Sequence, residues 1–204
     1  MIELLQHNYL EPIKDIPDKN TVRGHSLAGM STTRERVKDD FYATPPESTV
    51  AILKEVALKG SIWEPACGQG HMSEVIKEFY PDSKVYSTDL VDRGYAEDIV
   101  NFLDYDGEKF DNIITNPPFK LTLEFIEHSL QQTVEDGFVI MLLRLNFFET
   151  KARKPFFERH MPKYAFVHHK RVSFTEDGKR DSVAYMHCVW QKGYYPDHTE
   201  LRII

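Results

Sequence analysis

From residue 46 to about residue 193, short apolar runs alternate with longer amphipathic ones, and this alternation limits the fold more than any other feature of the chain. Apolar residues that repeat every two positions favour strands; a repeat near 3.6 favours helices. PESTVAILKEVAL (46–58) reads as a helix capped near Ser48 or Thr49, with Ala51, Ile52 and Val56 on one face. SIWEPACGQG is a short strand running into a glycine turn, and GHMSEVIKEFY is a helix stopped by Pro81. KVYSTDL is a strand ending in an acid, and FDNIITNPP is a strand entering a Pro-Pro loop. LTLEFIEHSLQQTV reads as a helix and GFVIMLLRL as a buried strand. KPFFERHM looks helical, YAFVHH strand-like, and SVAYMHCVWQKG is a closing strand. Strands that alternate with helices imply parallel βαβ units. The expected fold is therefore α/β, a doubly wound, mostly parallel sheet with helices on both faces. Such sheets bind ligands beyond the carboxyl ends of their strands, where the glycine turn and the Pro-Pro loop both fall.

A chain of 204 residues has room for one sizeable core. Residues 1–39 mix Pro12, Pro17, Gly24 and Gly29 with a polar run, so they read as an irregular segment, with 18 to about 38 expected to be a mobile tail or flap. Residues 40–193 form the expected folded domain and 194–204 a tail. No apolar run approaches the roughly 18 residues that a spanning helix needs. The N-terminus has no basic stretch followed by an apolar one, so no secretory signal is expected. Cys67 and Cys188 sit in no paired zinc or redox motif; no metal site is expected, and two free thiols fit a reducing cytosol.

The net charge of -7 argues against nucleic acid as a partner, but its distribution does not. Residues 144–192 hold 11 Lys+Arg against 5 Asp+Glu, interleaved with Phe147, Phe148, Phe156, Phe157, Tyr164, Phe166 and Phe174. Cations among rings suit phosphate contact and base stacking; a solvated surface over an aromatic core gives the same pattern.

Glu64-Pro65-Ala66-Cys67-Gly68-Gln69-Gly70 leaves a strand and opens a helix. Gly68 and Gly70 let the backbone turn tightly and approach a ligand, while Ser73 stands where a dinucleotide fingerprint has its third glycine. Asp89 ends the next strand, 19 residues after Gly70, at the distance suited to a carboxylate that grips ribose hydroxyls. Together they point to an adenosine-containing ligand. The glycines alone do not separate NAD from S-adenosylmethionine. The acid at Glu64 favours the second, because an ammonium and a sulfonium attract a carboxylate whereas a pyrophosphate is repelled.

Asn116-Pro117-Pro118-Phe119 is the most specific pattern in the chain. Each proline holds φ near -65°, which stiffens the loop and aims the Asn side chain and carbonyl oxygens in set directions. Acceptors aimed at an amino group pull its nitrogen toward tetrahedral geometry and free a lone pair otherwise shared with the ring. Phe119 offers a face to a base turned out of its stack.

With both motifs in place, the chain resembles the class I (Rossmann-like) methyltransferases, and more narrowly the N6-adenine DNA methyltransferases of phages and prophages, over residues 40 to about 193. Phe41, Thr44 and Pro45 are similar to the segment that helps hold the methionine end of S-adenosylmethionine. Glu64, Ala66, Gly68 and Gly70 match the glycine motif and Asp89 the ribose acid. Asn101 and Phe102, followed by Leu103, look like the segment that contacts the cofactor adenine, where relatives usually carry Asp in place of Asn101. Asn116, Pro117, Pro118 and Phe119 match the catalytic loop. Phe174 is a second ring for the flipped base, and Lys151, Arg153 and Lys154 are candidate contacts to the nucleic acid. The resemblance implies an enzyme of the bacterial or phage-infected cytoplasm that methylates adenine N6 in DNA. RNA is the alternative substrate, a protein glutamine is chemically close, and a catalytically silent partner subunit is the reading from another class. Many relatives add a target-recognition domain; here recognition falls to the N-terminus, residues 144–163 and the loop from Thr175 to Asp181. Short or relaxed specificity, or help from a partner, is expected.

Overall fold

The computed structural model describes residues 43–174 and 183–204. The expectations for Phe41, for the N-terminal segment and for the Thr175–Asp181 loop, including Lys179, Arg180 and Asp181, lie outside the described residues.

Ten residues form the first helix, α1 (Pro46–Glu55). It starts earlier than Ser48 and Thr49 suggested, because Pro46 occupies the first helical position with its φ already set. Ser48 is inside the helix, where its Oγ donates to the Pro45 carbonyl at 2.8 Å. β1 (Ile62–Glu64) follows, then α2 (His71–Phe79), β2 (Val85–Asp89), the two-residue β3 (Asp98–Ile99) and β4 (Phe110–Thr115). α3 (Thr122–Gln132) leads directly into β5 (Thr133–Arg144), and then come α4 (Lys154–Phe157), β6 (Tyr164–Val167), β7 (Tyr185–Gln191) and β8 (Glu200–Ile203).

The strands form one sheet in the order β3-β2-β1-β4-β5-β7-β6-β8. β7 runs antiparallel to both of its neighbours, β5 and β6, and every other pair is parallel. In β5 successive side chains go to opposite faces and both faces are covered, which explains its unbroken apolar run. Ile140 joins Ile52, Val56, Met72, Ile76 and Ile114 under α1 and α2. Val139, Met141 and Leu143 join Ile126, Phe147, Phe156 and Trp190 on the side of α3 and α4.

Three differences from the sequence reading have local causes. α3 ends at Gln132 because Thr133 turns extended, its Oγ1 donating to the Ser129 carbonyl at 2.7 Å. KPFFERHM gives only four helical residues, after two turns of 3-10 helix (Leu145–Phe148 and Lys151–Arg153). β3 and β8 escape the pattern because both are exposed edge strands with no buried face. No helix among the described residues is long and apolar enough to cross a membrane.

Candidate functional site

The ends of β1, β2 and β4 leave the sheet side by side, and the turns that follow them enclose a cavity of about 270 Å³. Thr44, Glu64, Ala66, Asp89, Asn101, Phe102, Asn116 and Pro118 all contribute to its wall.

After β1 the chain turns sharply. The Gly70 N–H donates to the Cys67 carbonyl at 2.8 Å, and the Cys67 N–H to the Thr88 carbonyl of β2 at 2.9 Å. Gly68 and Gly70 have φ of 57° and 84°, in the left-handed region. A Cβ on Gly70 would sit 2.4 Å from the ring of Tyr95, whose hydroxyl donates to Glu74 at 2.5 Å and accepts from Lys77 at 3.1 Å. Gly70→Ala is therefore expected to cost about 2–5 kcal/mol, the sum of a left-handed alanine and an overpacked ring contact. Urea unfolding checks this; a loss under about 0.5 kcal/mol would mean that Tyr95 moves aside freely.

Glu64 ends β1 and is only 2% exposed. Its carboxyl accepts a hydrogen bond from Ser73 Oγ, which lies 2.7 Å from Ser87 Oγ. Ser73 is thus more than a missing glycine: it anchors the acid to the floor of the cavity. Burial raises the Glu64 carboxyl to about 8, with the Ser73 hydrogen bond opposing. The folded protein therefore holds this proton more tightly than the unfolded chain does. The stability that this proton contributes is full below about pH 4.5 and declines as pH rises to about 8, at about 1.4 kcal/mol per pH unit at most. The ligand-free protein should lose melting temperature over that range, and Glu64→Gln should flatten the profile. An unchanged slope in the variant would refute the assignment.

Asp89 accepts from the Gly68 N–H at 2.8 Å through Oδ2 and from the Val91 N–H at 2.9 Å through Oδ1. It ties the glycine turn to the loop beyond β2 while lining the cavity. Asn101 donates from Nδ2 to Asp104 Oδ2 at 2.5 Å, which makes Oδ1 the acceptor end of its amide. Phe102 lines the cavity but is mainly core: its ring meets Trp63 edge-on at 5.0 Å and Phe125 at 4.9 Å. The Cys67 thiol, pushed up to about 12 by burial and by Glu64 and Asp89, offers no thiolate nucleophile.

Asn116 follows β4 directly, and its Nδ2 donates to Thr44 Oγ1 at 3.2 Å. Pro117 is buried in the loop, and Pro45 caps α1 beside Thr44; neither lines the cavity. Phe119 lies outside it as well. Its ring packs with Phe174 and Val183 around Leu142, Val172 and Tyr185, and the Arg144 guanidinium lies 4.3 Å from the ring centroid. Phe174 meets Tyr185 edge-on at 4.9 Å, in the same cluster as Phe119 and not in the cavity. Several wall residues escaped the sequence reading: Leu90, 65% exposed, directly after the strand-end acid, together with His71, Val100 and Leu121. The signal for Leu90 was present, since an apolar residue where a strand leaves the sheet has no core to enter.

The basic, aromatic segment resolves into core and surface. Phe147, Phe156 and Phe166 are buried, which is the ordinary reason for rings between charges. Lys151 and Lys154 are exposed; Lys154 pairs with Glu158 at 3.8 Å. Arg153 donates to the Phe147 carbonyl at 2.9 Å. None of the three lines the cavity. Among the described residues no group of three or more His, Cys, Asp or Glu could hold a metal ion.

No protein-family model matches the chain, nor does any curated protein. Solved structures do. A protein from Listeria monocytogenes, described as a class I S-adenosylmethionine-dependent methyltransferase, superposes with a TM-score of 0.60 at 17% identity, over 82% of this chain and 67% of its own. The M protein of the type I restriction enzyme EcoKI gives 0.58 at 16% identity, over 82% of this chain and 49% of its own. TrmN from Thermus thermophilus gives 0.54 at 20% identity, over 72% and 48%. The chain thus spans about half the length of the last two. The fold is the Rossmann-like fold of the class I methyltransferases.

Proposed function

We propose that the chain transfers a methyl group from S-adenosylmethionine to the N6 amino group of adenine in DNA, with the target base turned out of the duplex. One observation carries the reading: the Asn116 amide, fixed by Thr44, opens onto the same cavity as Glu64 and Asp89.

The residues present suit such a cofactor. Burial keeps the Glu64 carboxyl protonated, and the positive charge of an incoming ammonium would favour loss of that proton to solvent. Asp89 retains acceptor capacity for ribose hydroxyls beyond its two backbone bonds. Asn101, oriented by Asp104, presents a carbonyl oxygen suited to an adenine amino group. When bound, S-adenosylmethionine supplies an electrophilic methyl on sulfur. Asn116 Oδ1 and the carbonyls of the proline loop accept from the target amino group and localise its lone pair on nitrogen. Methyl transfer to that nitrogen would leave the electron pair of the S–C bond on sulfur, and the methylated nitrogen would then give up one proton to solvent. No general base of shifted pKa is required, because the proton leaves after the methyl has arrived.

The likeness to the M protein of a restriction enzyme is in keeping with DNA as the acceptor. The test supplies labelled S-adenosylmethionine with duplex DNA, single-stranded DNA and RNA in separate reactions, followed by nucleoside analysis. Label in N6-methyladenine from DNA is expected. Label from RNA alone would replace the DNA reading with the RNA one, and no label from any would overturn both.

A further inference from the structure

We propose that Arg144 and Arg153 form a clasp for a backbone phosphate of the target strand, in a second hollow beside the catalytic loop. This rests on the nucleic-acid reading above and adds a site to it.

The hollow measures about 190 Å³ and lies against Phe119, with Thr122, Asn146, Thr150 and both arginines in its wall. Arg144 is the last residue of β5, and its half-buried side chain lies across the Phe119 ring. Its Nε is fully buried and has no hydrogen-bond partner. A buried N–H of a cation that lacks an acceptor is costly, and an incoming oxyanion removes that cost. Glu149 also lines the hollow, yet it forms no ion pair with Arg144 or Arg153, and among the described residues no carboxylate pairs with either arginine.

Arg153 is held in place by its Nη1, which donates to the Phe147 and Asn146 carbonyls at 2.9 and 3.4 Å, and by the Phe147 ring at 4.8 Å. Its remaining N–H groups are left for a ligand in the hollow. Two guanidinium groups with no carboxylate partner among the described residues match the several acceptor oxygens of a phosphodiester, which arginine grips in pairs. Thr122 is already committed, since its Oγ1 donates to the Phe119 carbonyl at 3.0 Å; Thr150 and Asn146 supply further polar edges. Because Arg144 lies on Phe119, capture of the phosphate also fixes the ring that follows the catalytic prolines. Arg144 is in this sense a positioning residue.

The test uses a duplex that the enzyme methylates, remade as a set in which each linkage near the target adenine is in turn a neutral methylphosphonate. Affinity is measured with S-adenosylhomocysteine present. The wild-type protein should lose about tenfold at one linkage. Arg144→Gln should bind the unmodified duplex about tenfold less tightly, be indifferent to that linkage, and show a salt slope lower by about one phosphate contact. Arg153→Gln should behave alike, which keeps the test decisive if Arg144→Gln folds poorly. Arg144→Lys should restore the salt slope but only part of the affinity. Variants as sensitive to every linkage as the wild type would overturn the clasp alone. A wild-type protein that binds no nucleic acid would overturn both the clasp and the reading beneath it.

Discussion

Asn116→Ala is expected to reduce methyl transfer by at least about 10²–10³-fold while S-adenosylmethionine still binds with near wild-type affinity. The amide is the one side chain of the proline loop able to accept from an amino group, and removing a placed hydrogen-bonding group from a reacting centre costs that much in comparable sites. Cofactor affinity should survive because Glu64 and Asp89 belong to other strands and do not bond to Asn116. Thr44→Val provides a finer probe. It removes one acceptor of Nδ2, which loosens the hold on the amide by about 1 kcal/mol, a several-fold fall in turnover. Single-turnover rates at saturating cofactor measure both variants. If Asn116→Ala instead loses the cofactor and keeps its rate once saturated, the two halves of the cavity have been assigned the wrong way round.

Asp89→Ala is expected to do the reverse, weakening cofactor binding by at least about 10²-fold and letting turnover recover at high cofactor concentration. The substitution removes acceptors for the ribose. It also strips the Gly68 and Val91 N–H groups of their partners, at about 1–3 kcal/mol for each one left buried. The glycine turn would loosen as a result, so the effect exceeds that of the lost ribose contact. Asp89→Asn keeps one acceptor oxygen without the charge and should fall between, near tenfold. Calorimetric titration with S-adenosylmethionine separates the three proteins. Equal affinity in wild type and Asp89→Ala would remove Asp89 from the site.

Much of the site was legible before the structure. Glu64, Ala66 and Cys67 of the glycine turn, Asp89 at the end of the next strand, and Asn116 and Pro118 of the proline loop line one cavity, whereas Gly68, Gly70, Pro117 and Phe119 shape the turns without lining it. Each is a signal of a few residues, written in turn chemistry and strand periodicity. The same logic failed where the cause was not periodic. β3 and β8 have no buried face to advertise them, and α1 begins at a proline whose preset φ outweighed the hydroxyls of Ser48 and Thr49. Phe147 and Phe156 read equally well as stacking platforms or as core, and only their contacts with Ile126, Met141 and Trp190 decide for core.

The chain by itself determined the alternation of strand and helix, the two glycines that turn out of β1, and the stiffness of Asn116-Pro117-Pro118-Phe119. These follow from torsional limits and side-chain periods within a few residues of each position. Tertiary structure decided what those pieces face. It set β7 antiparallel between β5 and β6, brought Thr44 to Asn116 across 72 positions, gave Ser73 to Glu64 as a partner, and laid Arg144 over Phe119. It also set the protonation of Glu64, because burial depends on every neighbour at once and no local stretch of sequence records it.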